Sequence, residues 1–275
     1  MNNLYVFGKK GFIAKDLLKK LKKKKIKFKA FSKKEINLVN KQSCFKIKKL
    51  IKDNSNIIFI SAIAPAKTIY DLENNLKMIK NFFKGLKEKK INQIIYISSD
   101  AVYSDTKKKI NENTKCVPNS IHGKMHLSRE KYLKKHFKGK VTILRPTLIY
   151  GKGDPHNGYG PNKFLRLIKK NKNISLFGKG EELRDHVSIN DVTKIILMCL
   201  GKYKNKTINI VSGKKISFFK IAKLCINKNK LSKIKYVKRK GPMPHKGLRQ
   251  FSQKTLKKLF PSYKFQNLEN YIKIS

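Results

Sequence analysis

The chain has 275 residues, 40% of them hydrophobic, enough to bury the core of one large domain or two small ones, and its four cysteines at 44, 116, 199 and 225 form no CxxC pair, which argues against a disulfide framework or a zinc knuckle. The formal net charge of +51 would ordinarily point to a polyanion partner, but the six arginines are outnumbered by sixty-one lysines scattered along a chain also rich in Asn and Ile, the usage of an AT-rich coding sequence. No specific nucleic-acid partner is expected, and runs such as KKLKKKKIK (19 to 27) read as solvated faces.

Met1 is followed almost at once by the strand-like LYVFG, so no signal peptide is expected. No apolar run approaches a membrane span, so a cytoplasmic protein with no membrane partner is the expectation. Short apolar runs then alternate with amphipathic stretches: NLYVFG, FIAKDLLKKLKK, IKFKAFS, CFKIKKLIKD, NIIFISAIA, a long helix from about 67 to 89, and INQIIYISS. This alternation predicts an α/β fold, a Rossmann-type doubly wound parallel sheet with helices on both faces. A helix over about 119 to 137 and the buried strand KVTILRP follow. Beyond Pro146 the pattern loosens into the irregular loop YGKGDPHNGYGPN. A helix (KFLRLIKKN), a strand (ISLFG), the segment RDHVSINDVTKIILMCL and a lysine-rich tail complete the chain. The expected organisation is a dinucleotide-binding domain over 1–150 and a smaller, interleaved substrate-binding portion over 151–275.

VFGKKGFIAKDLL places Gly8 and Gly11 between the first strand and first helix, with Ala14 three residues on. A turn without side chains lets a pyrophosphate approach backbone N–H groups and the helix dipole. Lys10, Phe12 and Ile13 line the same turn. After the second strand no acidic residue stands ready for a ribose 2′-OH, whereas Ser32, Lys33 and Lys34 could pair with a 2′-phosphate, so NADP is preferred over NAD.

These residues resemble the extended short-chain dehydrogenase/reductase superfamily, in its NAD-dependent epimerase/dehydratase branch acting on nucleotide sugars. Gly8, Gly11 and Ala14 look like its glycine turn, SAIAP (61 to 65) like the cofactor-lining end of a strand, and YISSDAVYS like its S-S-x-x-V-Y-G segment. LRPTLIYGKGDP and LFGKGEELRDHVSINDV are similar to its two most specific signatures. The resemblance implies cofactor contacts from Ala62, Ile63, Ala64 and Ser98, catalysis by Ser99, and substrate contacts from Asp100, Arg184 on the diphosphate, Phe177 near the base and Arg249 as a second phosphate contact. Core packing is the competing use of Phe177, while Asp185 and Asp191 are read as structural, fixing a turn and capping a helix. FSKKEINLVN resembles 4-keto-sugar reductases of the same superfamily, which implies net reduction with NADPH. The family's paired helices leave room for a homodimer through 67–89 and 119–137.

The sequence departs from the family at its Y-x-x-x-K pair, where His122 and His126 stand. Imidazole is a competent base near neutral pH without a cationic neighbour, though its tip lies about 2 Å nearer the backbone than a phenol oxygen, and misplacement of that order is costly. The readings open at this point are an altered acid/base pair, a dinucleotide-binding protein that has lost its chemistry, two histidines with no chemical role, and a metal site through His122, His126 and Glu130 at i, i+4, i+8. The last is disfavoured because the zincin H-E-x-x-H pattern is absent, so no metal is expected.

Overall fold

The structure, a computed structural model, describes residues 3–203, 205–229 and 231–275. The path runs β1 (Leu4–Phe7), α1 (Phe12–Lys23), β2 (Lys29–Phe31), α2 (Ser43–Leu50), β3 (Ser55–Phe59), α3 (Ile69–Leu86), β4 (Ile91–Ile97), α4 (Ile121–His136), β5 (Val141–Pro146) and β6 (Leu148–Tyr150). It continues through α5 (Pro161–Ile168), β7 (Ile174–Phe177), β8 (Leu183–Ser188), α6 (Ile189–Cys199), β9 (Lys206–Ile210), β10 (Lys215–Ser217), α7 (Phe218–Ile226), β11 (Ile234–Val237), β12 (Leu248–Arg249), α8 (Lys254–Leu259) and α9 (Leu268–Ile274). The chain divides into two compact units, one made of residues 1–104, 115–146 and 193–208, the other of 105–114, 147–192 and 209–275. The breaks follow residues 104, 114, 146, 192 and 208, so each unit takes segments from the other's stretch of sequence. No helix is long and apolar enough to cross a membrane among the described residues.

The first unit is built on a sheet of order β2-β1-β3-β4-β5-β9 whose pairings from β2 through β5 are parallel. All four residues of β1 are buried, as a strand covered on both faces requires. The helix α1 buries Ala14, Leu17 and Leu21 along one stripe and turns its lysines outward. Phe7, Phe59 and Phe82 pack ring on ring at 4.4 to 6.0 Å in the core, each worth roughly 1.5–3 kcal/mol of burial. Capping defines the helix starts: Thr68 and Asp71 form a reciprocal capping box on α3, and the Ser120 hydroxyl accepts from Gly123 N–H on α4.

The second unit holds a four-stranded set in which β8 pairs with β10, β12 and β6, plus the parallel ribbon β7–β11. Its core gathers Tyr150, Phe164, Leu176, Phe218, Ile221 and Ile272. The lysine-rich tail is thus built structure. Ile234 to Val237 add a strand to β7, and Leu248–Arg249 add one to β8, because even a lysine-bearing stretch gains backbone hydrogen bonds at an open sheet edge. The long loop after β6 is latched by Asp154, which accepts from Asn162 Nδ2 at 3.0 Å and whose carbonyl accepts from Arg166 Nη1 at 2.8 Å. Asp185 clamps a turn, accepting from the amides of Ser212 (2.9 Å) and Gly213 (2.7 Å), and burial pushes its carboxyl up to about 6 against those bonds. At the start of α6 the cap is Ser188: its hydroxyl accepts from Asp191 N–H and donates to the Asp191 carboxylate, which also takes Tyr263 Oη–H at 2.7 Å.

Candidate functional site

The glycine turn in the first unit is shaped by absence of side chains. Gly8 sits at φ +107°, and a Cβ there would lie 2.9 Å from the Ser61 amide nitrogen. The amides of Gly8 and Lys9 both donate to the Phe31 carbonyl at the end of β2, and Gly11 N–H closes the turn on the Gly8 carbonyl at 2.9 Å. Gly11 is the N-cap of α1 and supplies no side-chain cap, so the first helical amides, including those of Phe12 and Ile13, face outward as donors for an anion. Lys10 is exposed beside them. A dinucleotide's diphosphate fits this cradle.

Beyond the end of β2 an acid does stand ready, four residues past the strand end. The Glu35 carboxylate accepts from the Ser32 amide at 2.8 Å and from the Ser32 hydroxyl, and from Lys9 Nζ at 3.2 Å. These bonds, the Ser32 hydroxyl's first, hold its carboxyl down at about 2, so it is ionised at every working pH. Ser32 is itself buried and committed to Glu35, while Lys33 and Lys34 are exposed.

The loop leaving β3 carries Ala62, Ile63 and Ala64, partly or fully exposed although apolar. Asn75 of α3 brackets it like a neighbouring strand, accepting from Ile63 N–H at 3.1 Å and donating to the Ile63 carbonyl at 3.0 Å. From α4, Arg129 donates through Nη2 to the Ser61 carbonyl at 2.7 Å and through Nη1 to Asn75 Oδ1 at 3.3 Å.

Ser99 caps the single 3-10 turn Asp100–Val102, its hydroxyl oxygen accepting from Ala101 N–H at 3.2 Å, and Asp100 is buried in that turn. The first turn of α4 is set hard against it: a Cβ on Gly123 would fall 2.0 Å from the Ala101 carbonyl oxygen. His122 and the Ser99 turn are thereby held at one end of the sheet. Ala66 N–H donates to His122 Nδ1 at 3.3 Å, so the neutral ring carries its proton on Nε2.

His126 does not lie at an open ribose edge. It is 5% exposed, its ring stands edge-on to His122 with centroids 4.7 Å apart, and its Nδ1 meets the Tyr96 hydroxyl at 2.8 Å. Burial first, then the neighbouring His122 and the Arg129 charge, push His126 well below the usual imidazole range, and burial pushes the Tyr96 phenol upward. Both groups are neutral, with Tyr96 donating to His126. Ser98, expected at the cofactor, instead turns inward and donates to Glu130 at 2.5 Å. Glu130 is also taken by Arg145 in a fork, Nε at 2.9 Å and Nη2 at 2.5 Å, and Arg145 reaches Tyr103 Oη at 2.7 Å. The i, i+4, i+8 row on α4 therefore splits into a hydrogen-bonded ring pair and an ion pair. Among the described residues no three His, Cys, Asp or Glu side chains are grouped to hold a metal ion.

In the second unit the two expected phosphate-binding arginines are register neighbours, Arg249 on β12 opposite Arg184 on β8, and in-register parallel strands turn them to the same face. Each already has local partners: Arg184 Nη1 lies 2.9 Å from Glu182, and Arg249 lies 3.2 Å from His245 Nδ1, which in turn meets Asp105 at 2.5 Å. Phe177 is 46% exposed at the end of β7 with the Tyr159 ring tilted against it at 5.3 Å, so it is not core. Next to it Gly178, Lys179, Phe219, Tyr236 and Val237 line a cavity of about 940 Å³. His186, two residues beyond Arg184, is 3% exposed, stands edge-on to Phe218 at 5.9 Å, and has no hydrogen-bond partner on either ring nitrogen among the described residues. Burial, then the Arg184 charge, pushes it down to about 3.

Sequence reading missed Glu35, Asn75, Tyr96 and Arg129. Only Arg129 carried a signal, as one of six arginines in a chain that otherwise uses lysine for positive charge.

A family model for the NAD dependent epimerase/dehydratase family matches residues 4–211. Among curated proteins, an uncharacterized UDP-glucose epimerase of Bacillus subtilis is 30% identical over 159 residues, covering 55% of this chain and 49% of that protein. GDP-6-deoxy-D-talose 4-dehydrogenase of Aggregatibacter actinomycetemcomitans is 32% identical over 122 residues, 41% of each. The chain spans about half the length of the curated relatives it matches. In fold it is similar to the Thermotoga maritima UDP-glucose 4-epimerase solved with UDP-glucose, with a TM-score of 0.86 at 20% identity over 99% of this chain and 96% of that one. The Thermus thermophilus UDP-glucose 4-epimerase solved with NAD gives 0.83 at 16% identity over 98% and 96%. With three quarters of its length under the family model and a Rossmann sheet opening on a side-chain-free glycine cradle, the chain belongs to the NAD dependent epimerase/dehydratase family.

Proposed function

We propose that this protein exchanges a hydride between a nicotinamide dinucleotide and a carbon of a nucleotide-linked sugar, working best in the direction that reduces a keto sugar. The observation that carries the reading is the seating of Gly123 on the Ala101 carbonyl, which brings His122 beside the Ser99 turn in the unit that also holds the glycine cradle. The dinucleotide, when bound, supplies or accepts the hydride. Ser99 spends a lone pair on Ala101 N–H and keeps its O–H to give. His122 spends Nδ1 on Ala66 N–H and keeps its proton on Nε2. Both groups are set as hydrogen-bond donors, which suits an oxygen that gains negative charge, as a sugar carbonyl does on reduction, and the proton that completes the alcohol is taken up from solvent. A neutral imidazole acting by donation needs no cationic neighbour, in keeping with the uncharged His126.

Glu35 moves the cofactor preference from NADP to NAD. A fixed carboxylate on Ser32 repels a 2′-phosphate and accepts from a 2′-OH, so the lysines at 33 and 34 are outweighed. Arg184 and Arg249 are the candidates for the substrate's diphosphate, and the cavity beside Phe177 for its base.

Single-turnover absorbance at the nicotinamide band, with NADH and a panel of nucleotide keto sugars, tests the proposal. Oxidation with at least one of them, lost in His122→Ala, is expected. Tight dinucleotide binding with no spectral change for any sugar would support the second reading, a binding protein without chemistry, which the buried and neutral Tyr96–His126 pair favours.

A further inference from the structure

We propose that Arg129 is a positioning residue of the dinucleotide site, a buried cation that sets the Ser61–Ile63 loop against the glycine turn and gives that edge its affinity for an anionic ligand; this rests on the dinucleotide reading above. Arg129 has no exposed surface and no carboxylate partner among the described residues. Its neighbour Glu130 is consumed by Arg145. What surrounds the guanidinium is the Ser61 carbonyl at 2.7 Å, Asn75 Oδ1 at 3.3 Å, Met125 Sδ at 3.9 Å, and the faces of Phe59 and Tyr96 at 5.0 and 5.3 Å, with Nε left without a partner.

An isolated buried charge is among the costliest groups a fold can carry, and a guanidinium does not escape by losing its proton. A methionine or leucine of similar volume would fill the space among Phe59, Tyr96 and Met125 at less cost, so packing does not explain the charge. Its contacts do point somewhere. Two of its donors end on the loop that leaves β3, one directly at Ser61 and one through the Asn75 side chain that brackets Ile63. The amide of Ser61 is the group that excludes any side chain from Gly8. Because the peptide plane is trans, a Ser61 carbonyl turned to Arg129 sends the Ala62 N–H the opposite way, and the cation polarises that amide as a donor. The positive field thus reaches the rim of the cradle through one peptide unit, with no mobile side chain, and a buried source is screened far less than the surface lysines.

The test uses the full chain and two substitutions, Arg129→Met, which keeps volume and removes charge, and Arg129→Lys, which restores charge. NADH affinity is read by fluorescence titration at 50 and 300 mM salt, and thermal midpoints are recorded alongside. The expected result is a loss of affinity of about tenfold or more in the methionine variant, similar at both salts, with an equal or higher thermal midpoint and recovery of most of the affinity in the lysine variant. Wild-type affinity in Arg129→Met would overturn the inference while leaving the dinucleotide reading intact, as would a loss that tracks a fallen midpoint and is not rescued by lysine. Absence of NADH binding in the wild-type chain would overturn both.

Discussion

His186 offers the sharpest quantitative test of the second unit. Its ring is buried against Phe218 with neither nitrogen partnered, so the fold pays to desolvate two polar atoms and forbids the charged form. His186→Phe keeps the edge-on contact and removes both polar atoms, and Gly160, whose missing Cβ would lie 3.8 Å from Nε2, leaves room for the extra ring atom. At pH 8 the gain should be about 1–3 kcal/mol, the cost of an unsatisfied buried group. The pH dependence is the cleaner number, because packing changes cancel in it. The folded-state pKa of about 3 lies below the unfolded value of 6.5, so as pH falls below 6.5 the unfolded chain takes up a proton that the folded chain refuses, and stability is lost. Between pH 8 and pH 5 that amounts to about 2 kcal/mol in the wild type and nothing in the variant. The chain has eleven tyrosines and no tryptophan, so urea unfolding of the full chain followed by tyrosine fluorescence at the two pH values is the assay. Equal pH slopes in the two proteins would refute the claim that His186 is held neutral.

Three further outcomes are expected. Glu35→Gln should raise the ratio of NADP to NAD affinity by about tenfold, since one fixed negative charge is removed from the ribose edge; an unchanged ratio in competition titrations would return the preference to Lys33 and Lys34. Gly123→Ala pushes a Cβ into the Ala101 carbonyl and should cost about 1–3 kcal/mol while displacing the Ser99 turn, read as a lowered thermal midpoint together with a lost hydride signal. Ser120→Ala removes the cap of α4 and should cost about 1 kcal/mol in urea unfolding with little change in NADH affinity.

What could be read from the sequence was whatever depends on period and on glycine. The buried β1, the stripe Ala14, Leu17, Leu21 on α1, and the turn at Gly8 and Gly11 all follow from local patterns that no distant contact overrides. His122 and His126 could be located in the chain but not interpreted, because the tautomer of one depends on the Ala66 amide 56 residues earlier and the neutrality of the other on its burial in the finished fold. Glu35 was passed over because a carboxylate four residues beyond a strand end reaches Ser32 only through the turn's own conformation. Phe177 carried two readings because hydrophobicity alone does not say whether a ring lies in a core or stands at a strand end. The tail over 231–275 hid its strands under lysines, whose long stems can lie over a sheet edge while the heads stay in water.

The division of the chain also fixes an order of events during synthesis. The first unit's sheet is complete only when β9 arrives at residues 206–210, so after β5 ends at Pro146 about sixty more residues must be made before its neighbour exists. At ribosomal speeds that is a wait of roughly 3–12 s. Throughout it β5, whose six residues are all buried in the finished protein, presents an open apolar edge of the kind that recruits foreign strands. A truncation at residue 150 would make that interval permanent, and the resulting fragment should be a poor solution protein even though it contains the whole glycine cradle.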